Sequence, residues 1–340
     1  MALPFPEDTF DAAVMPLVIF FVPEPAQGVA EMARVVCPGG MVATYVSGVS
    51  RYSLGAYPLA IEHFSWVVDG AGAELSKRRR LGLILPPYIF ACGWLSLSLS
   101  YTGNFPRALD YGARSVAAAD EIEHPQAQAI AYTLRSMPFT YRGEFAEALR
   151  WGERATQLSE SRGLLLWVPG AYSMLGWALA WSGRAEEALG YLERGVTIFE
   201  GLGMQGQLAQ QYVRWGDGLL LAGRLEEARA KADRAAEIAR GTGEQGYEVE
   251  AVHLQARIAA AAGEDRETVR QLYENVQALA SALGMRLYVA HAELGLGRLH
   301  ARSGDRAVAA EHLGTAAAIF RDIGAPWWVA RAEDTLRTGA

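Results

Sequence analysis

The chain has 340 residues, 51% of them hydrophobic, and a formal net charge of −7. That is enough apolar material for two domains or one extended solenoid, and the acidic balance gives no overall electrostatic case for a nucleic-acid partner. Two cysteines, Cys37 and Cys92, supply neither a disulfide framework nor a metal site. Met1-Ala2-Leu3-Pro4 lacks the basic start of a secretory signal and is followed by acids, so a cytoplasmic, reducing location is expected.

Residues 1–50 read as strand, helix, strand. An apolar run from Ala12 to Val22 is followed by Pro23-Glu24-Pro25 and a helical stretch to Val36. Then come the turn Cys37-Pro38-Gly39-Gly40 and a second apolar run, Met41 to Val46. This is one βαβ crossover. Leu3-Pro4-Phe5 with Phe10-Asp11, and Arg34 with Pro38-Gly39-Gly40, resemble the later part of a class I S-adenosylmethionine-dependent methyltransferase. Cys37 stands where that family prefers a basic residue. The resemblance implies a truncated segment, because the family's glycine-rich cofactor loop and ribose-holding acid belong to its earlier half. No G-x-G-x-x-G between a strand and a helix occurs in this chain. No cofactor is expected.

Residues 51–80 are expected to be a linker with transition helices. Ser47-Gly48-Val49-Ser50 and Asp69-Gly70-Ala71-Gly72 read as breakers, with one helix between them over Tyr57 to Val68. The charged stretch Glu74 to Arg80 also reads as helix. Its basic end, Lys77-Arg78-Arg79-Arg80, stands directly before the apolar stretch Leu81 to Tyr101, an order also found at membrane anchors. Pro86-Pro87 and the serines Ser96, Ser98 and Ser100 argue against a span. No membrane contact is expected.

From about residue 81 to 324 one unit recurs. Gly103, Gly143, Gly183, Gly223, Gly263 and Gly304 follow one another at steps of 40, 40, 40, 40 and 41 residues. A fixed period of this size is the signature of a solenoid. In the third unit apolar residues at Ala171, Met174, Leu175, Ala178 and Leu179 have helical spacing and stop at Ser182-Gly183. A second helical pattern follows through Ala188, Leu192, Val196 and Phe199. Each unit is therefore two antiparallel helices joined by a tight turn whose glycine takes a left-handed conformation. Residues 325–340 supply a capping helix and tail, with Trp327 and Trp328 covering the last apolar face.

The small–large pattern Leu175-Gly176, Ala188, Leu192 and Gly195 resembles the tetratricopeptide repeat (TPR). It recurs as Trp215-Gly216, Ala228, Ala232, Ala235 and as Leu296-Gly297, Ala309, Leu313, Ala316. Units one and two are looser, with Ser96 and Ser136 at the small position, and unit five departs most, with Thr268 and Asn275. The longer period, and the phrase Gly284-Met285-Arg286 with His291-Ala292-Glu293-Leu294-Gly295-Leu296-Gly297, are similar to the C-terminal regions of bacterial signalling proteins. Those are adenylate or guanylate cyclases carrying an ATPase, and the maltose-activator type of transcription regulator. The expected fold class is mainly α: a TPR-like α-solenoid, a right-handed superhelix of helix pairs, with a small N-terminal βαβ remnant.

Catalytic constellations are missing: there is no H-E-x-x-H, G-x-S-x-G or Walker-type loop. His253 and His291 are placed to face one another in successive units but lack a carboxylate or third ligand, so no metal is expected. The chain reads as a non-enzyme. Binding is the better expectation. In the repeat family the first helix of each unit lines a concave groove. The resemblance places Tyr101, Met137, Tyr141, Trp177, Trp181 and Asp217 along the first four units. It places His253, Arg257, His291, Arg298 and Arg302 along the last two, which makes the groove aromatic at one end and basic at the other. The family's lysine–asparagine clamp is not matched. The expected partner is a protein or peptide, in a scaffold or regulatory module of bacterial signalling. A methyltransferase remnant and a small-ligand sensor are the alternatives.

Overall fold

The 40-residue period becomes helix pairs because each glycine stops one helix and turns the chain. The structure is a computed structural model that describes residues 5–14, 31, 34–43, 45–69 and 85–338. Two strands, β1 (Phe10–Val14) and β2 (Val36–Ala43), pair in parallel. The register runs Phe10 to Val36 and then Ala12 to Met41, so the Cys37–Gly40 segment expected as a turn is an irregularity within the ladder. Arg34 holds this corner, pairing with Glu31 at 2.8 Å and donating to the Phe5 carbonyl at 3.1 Å. Most of the helix expected between the strands, and the basic run Lys77–Arg80, lie outside the described residues.

Two helices follow, α1 (Tyr45–Ser53) and α2 (Tyr57–Asp69). The expected breaker at Gly48 is inside α1. A Cβ there would sit 2.6 Å from the Phe64 ring, so the glycine serves close packing of α1 on α2 instead of ending a helix.

Six pairs come next: α3 (Pro87–Tyr101) with α4 (Phe105–Glu121), α5 (Pro125–Arg142) with α6 (Phe145–Ser161), and α7 (Val168–Trp181) with α8 (Ala185–Gly201). They continue as α9 (Leu208–Leu221) with α10 (Leu225–Thr242), α11 (Gln245–Ala262) with α12 (Arg266–Ala282), and α13 (Arg286–Arg302) with α14 (Arg306–Ile323). α15 (Pro326–Thr338) closes the series. Among the described residues no helix is long and apolar enough to cross a membrane. Every residue of α3 is buried against protein.

Gly143, Gly183 and Gly223 stand outside the helices at φ +83°, +90° and +78°. A second ladder separates one unit from the next: Gly163, Gly203, Gly243, Gly284 and Gly324 all have positive φ. Its first rung is Glu123, at φ +49°.

Within a unit the small residue admits its neighbour. A Cβ on Gly176 would lie 2.7 Å from Leu192 Cγ, and one on Gly297 2.6 Å from Leu313 Cγ. Units one and two solve the same contact with a hydroxyl. Ser96 Oγ donates to the Ala108 carbonyl at 2.6 Å and Ser136 Oγ to the Ala148 carbonyl at 2.8 Å. Between units a tyrosine–acid bond repeats every 40 residues: Tyr132 to Asp120, Tyr172 to Glu160 at 2.5 Å and Tyr212 to Glu200 at 2.8 Å. Arg154 and Arg194 cover the first two rings, with their guanidinium carbons 4.4 and 4.6 Å from the ring centres.

The superhelix closes on itself. The Trp328 indole in α15 donates to the Tyr141 carbonyl in α5 at 2.7 Å, and Arg142 donates to the Gly324 carbonyl at 2.8 Å. Ile323 lies where a Cβ on Gly103 would be, at 2.5 Å, and Trp327 occupies the same position at Gly143. α1 and α2 fill the interior from the other side. Tyr52 and Tyr57 pack on Tyr101, and Tyr52 also on Tyr247, at ring separations of 5.0–6.3 Å. Residues read in sequence as a linker therefore belong to the main core.

Candidate functional site

The eleven groove residues divide into three sets once the superhelix closes. Tyr101 and Met137 are sealed inside, at 0% and 1% exposure. Arg302 is exposed and donates to the Ala260 carbonyl at 3.2 Å. The other eight, Tyr141, Trp177, Trp181, Asp217, His253, Arg257, His291 and Arg298, line one cavity of about 290 Å³. Thr140, Tyr273, Tyr288, Leu294, Trp327, Trp328 and Arg331 also contribute to its wall.

The sealed part is polar and aromatic. Glu250 in α11, 3% exposed, accepts hydrogen bonds from the Tyr101 hydroxyl, from the Tyr141 hydroxyl at 3.1 Å and from Gln210 Nε2 at 3.2 Å. Burial pushes its carboxyl up, and these donors pull it part of the way back. Arg214 is buried nearby, donating to Ser173 Oγ at 3.1 Å and lying over the Trp177 ring. These side chains fill the interior around Tyr101 and Met137, so neither of those two is open to a partner.

The cavity is the part of the concave face left free. Trp177 and Trp181, four residues apart on α7, project from one helix face. Both indoles donate to Asp217 Oδ2 on α9, at 2.9 and 3.1 Å. Arg257 on α11 donates to the other oxygen, Oδ1, and its guanidinium lies 4.8 Å from the Trp181 ring centre. The aromatic and basic ends expected to stand apart are therefore in contact. Asp217, 4% exposed, has three donors on its two oxygens.

Opposite them, His253 and His291 do face one another, with ring centres 5.2 Å apart, and the Trp328 indole stands edge-on to His291 at 4.4 Å. Burial holds His253 well below the ordinary histidine range, helped by His291 and Arg257. Burial, then Arg257 and Arg298, bring His291 down to about 3. Both are neutral imidazoles at physiological pH. Among the described residues no group of three or more His, Cys, Asp or Glu side chains could hold a metal ion. Cys92 is buried, and burial pushes its thiol up to about 12, which leaves it unreactive.

Arg298 on α13 and Arg331 on α15 complete the wall. Arg298 donates to Thr335 Oγ1 at 3.4 Å, and Arg331 lies 4.6 Å over the Trp327 ring. Neither forms an ion pair with a described carboxylate. Tyr273 reaches the cavity because Gly295 has no side chain; a Cβ there would fall 2.2 Å from the Tyr273 ring. Sequence reasoning passed over Arg331 and used Trp328 only as a cap, because both stand on the last helix, outside the repeat period. Trp328 does cover the last face, at 7% exposure, and also walls the cavity.

A methyltransferase-domain family model matches residues 1–44. No curated protein matches the chain. Among solved structures, a Rap protein complexed with competence and sporulation factor aligns over 87% of this chain and 86% of its own, with a TM-score of 0.62 and 12% identity. The apo form of RapI aligns over 84% and 97%, with a TM-score of 0.54 and 14% identity. Aspartyl phosphate phosphatase F from Bacillus subtilis aligns over 81% and 68%, with a TM-score of 0.54 and 13% identity. At these identities the likeness is one of fold, and the fold is that of a tetratricopeptide-like helical-repeat solenoid.

Proposed function

We propose that this chain is a non-catalytic regulatory module that recognises a partner through the Trp177–Trp181–Trp328 cavity. In this reading it serves protein–protein interaction in bacterial signalling. The observation that carries it is the position of the cavity, where helices of five repeat units and α15 meet. A ligand held there touches both sides of the closure and can bias how tightly the ends are joined. One protein of similar fold is complexed with competence and sporulation factor, which agrees with a binding role for this architecture. The aromatic and arginine content of the wall is that of a binding hot spot.

The test is a pull-down from the source cell followed by affinity measurements on variants. Trp181→Ala is expected to weaken binding by about 2 kcal/mol or more. Arg298→Ala is expected to slow association and reduce its salt dependence. Glu193→Ala, on the exposed face of α8, is the control. If it abolishes binding while the other two bind like the parent, the cavity is not the working surface.

A further inference from the structure

The geometry points to a ligand of one chemical class: an organic carboxylate on a flat apolar body, its charge held by Arg298 and Arg331 and its body laid against the rings of Trp181 and Trp328, which touch edge to face at 5.4 Å. This rests on the reading of the cavity as the binding site and adds what the cavity selects.

Three guanidinium groups and one carboxylate face the space. The carboxylate, Asp217, is fully engaged by two indole N–H groups and Arg257. It has no strong acceptor capacity left for a cationic ligand. Arg257 is engaged with it. Among the described residues, Arg298 and Arg331 are the cations of this wall that form no ion pair with a carboxylate. Arg298 is largely removed from water and is opposed by the charges of Arg331, Arg257 and Arg302, which together with burial lower its proton affinity. A cation in that position is an unbalanced charge that a bound anion would relieve. Guanidinium groups match carboxylates in shape and can bind them through two parallel hydrogen bonds. The two histidines are neutral, so they add no competing charge and offer flat faces. The rest of the wall is mainly indole and phenol with Leu221 and Leu294, which suits a flat apolar body better than a second charge. At about 290 Å³ the space stands at the lower end of the range for drug-sized ligands, which suits one ring and its acid group. A free small acid and the end of a peptide share this chemistry.

Calorimetric titration of the full chain with three probes of one shape tests the class: hydrocinnamate, its neutral amide, and phenylpropylamine. The acid is expected to bind at least tenfold more tightly than either of the others, and to weaken as salt is raised. Arg331→Gln, at an exposed position that cannot compromise the core, should cost the acid about tenfold and leave the amide unchanged. Arg298→Gln should do the same. Equal binding of acid and amide, tighter binding of the amine, or no binding of the acid to the parent chain overturns the proposal. If the acid binds but Trp181→Ala and Arg331→Gln leave it unchanged, the acid sits elsewhere and the reading of the cavity itself fails. An alanine pentapeptide ending in phenylalanine with a free carboxyl separates the sources. A tenfold gain over hydrocinnamate identifies a peptide end, and parity identifies a small acid; both support the class.

Discussion

Trp328 and Tyr141 are 187 residues apart in sequence and joined by a 2.7 Å hydrogen bond from indole to backbone carbonyl. The bond ties the last helix to the second repeat. Trp328→Phe keeps most of the ring and removes the donor, leaving a buried carbonyl short of a partner. The expected cost is about 1–3 kcal/mol. Trp328→Ala also opens a cavity and should cost about 3–5 kcal/mol. Urea unfolding of the two variants checks both values. A phenylalanine variant as stable as the parent would show that the closure does not depend on this bond.

Two glycines of the same ladder should differ in their tolerance of alanine. Gly183 has φ +90° and open space around the missing Cβ. Gly183→Ala therefore meets only the left-handed strain, about 1–2 kcal/mol. Gly143 has φ +83°, and an added Cβ would fall 2.5 Å from Trp327 Cβ, so Gly143→Ala displaces α15 as well. The expected order in thermal unfolding is parent, then Gly183→Ala, then Gly143→Ala, with the largest drop at the last step.

The buried histidines should make the protein sensitive to acid. A base whose folded pKa is depressed contributes stability that is present above its unfolded value and is lost as pH falls toward the folded one. For His291 that window runs from 6.5 down to about 3, and His253 acts in the same direction. Glu250 and Glu244, pushed up by burial, act oppositely, losing stability as pH rises above 4.5. Comparing pH 7 with pH 4.5, His291→Asn should lose about 2 kcal/mol less than the parent. The readout is the change between the two pH values, so any packing loss from the substitution cancels.

Tyr57 and Tyr101 are ring neighbours with opposite expectations. The Tyr57 hydroxyl is buried with no hydrogen-bond partner, pressed against Gly246. Tyr57→Phe should raise stability by about 1 kcal/mol, because it removes an unsatisfied polar group. Tyr101→Phe takes a donor from the buried Glu250 and should lower stability by about 1–3 kcal/mol. Denaturation midpoints that move in the same direction for both would contradict this account of the interior.

The helix pairs were legible because their signal is local. Gly183 ends one helix and Leu192 meets Gly176 within the same unit, so a period of 40 residues carries the pattern. The second ladder was less visible because Glu123 takes the place of its first glycine. The closure was not legible. Periodicity predicts contacts between neighbours, whereas Tyr101 with Glu250 and Arg142 with Gly324 join residues 149 and 182 positions apart. For the same reason eight of the eleven groove residues meet in one cavity while Tyr101, Met137 and Arg302 do not. The helix faces bring the eight together, but a helix face does not reveal what packs over it. Tyr52 and Tyr57 lie outside the repeats, so nothing in the repeat pattern assigned them to the interior.

An open solenoid can gain or lose a unit, because each repeat meets only its neighbours and the ends are free. Here α15 is fastened to the second repeat, and Tyr52 and Tyr57 reach the fifth. Copy number is therefore fixed by geometry: deleting one pair would leave the cap and the plug too far round the turn to meet their seats, and adding one would hold them apart. Loss of any repeat should accordingly cost the whole structure and not one rung of it, so lineages of this architecture are expected to vary in their loops and outer faces while keeping six pairs.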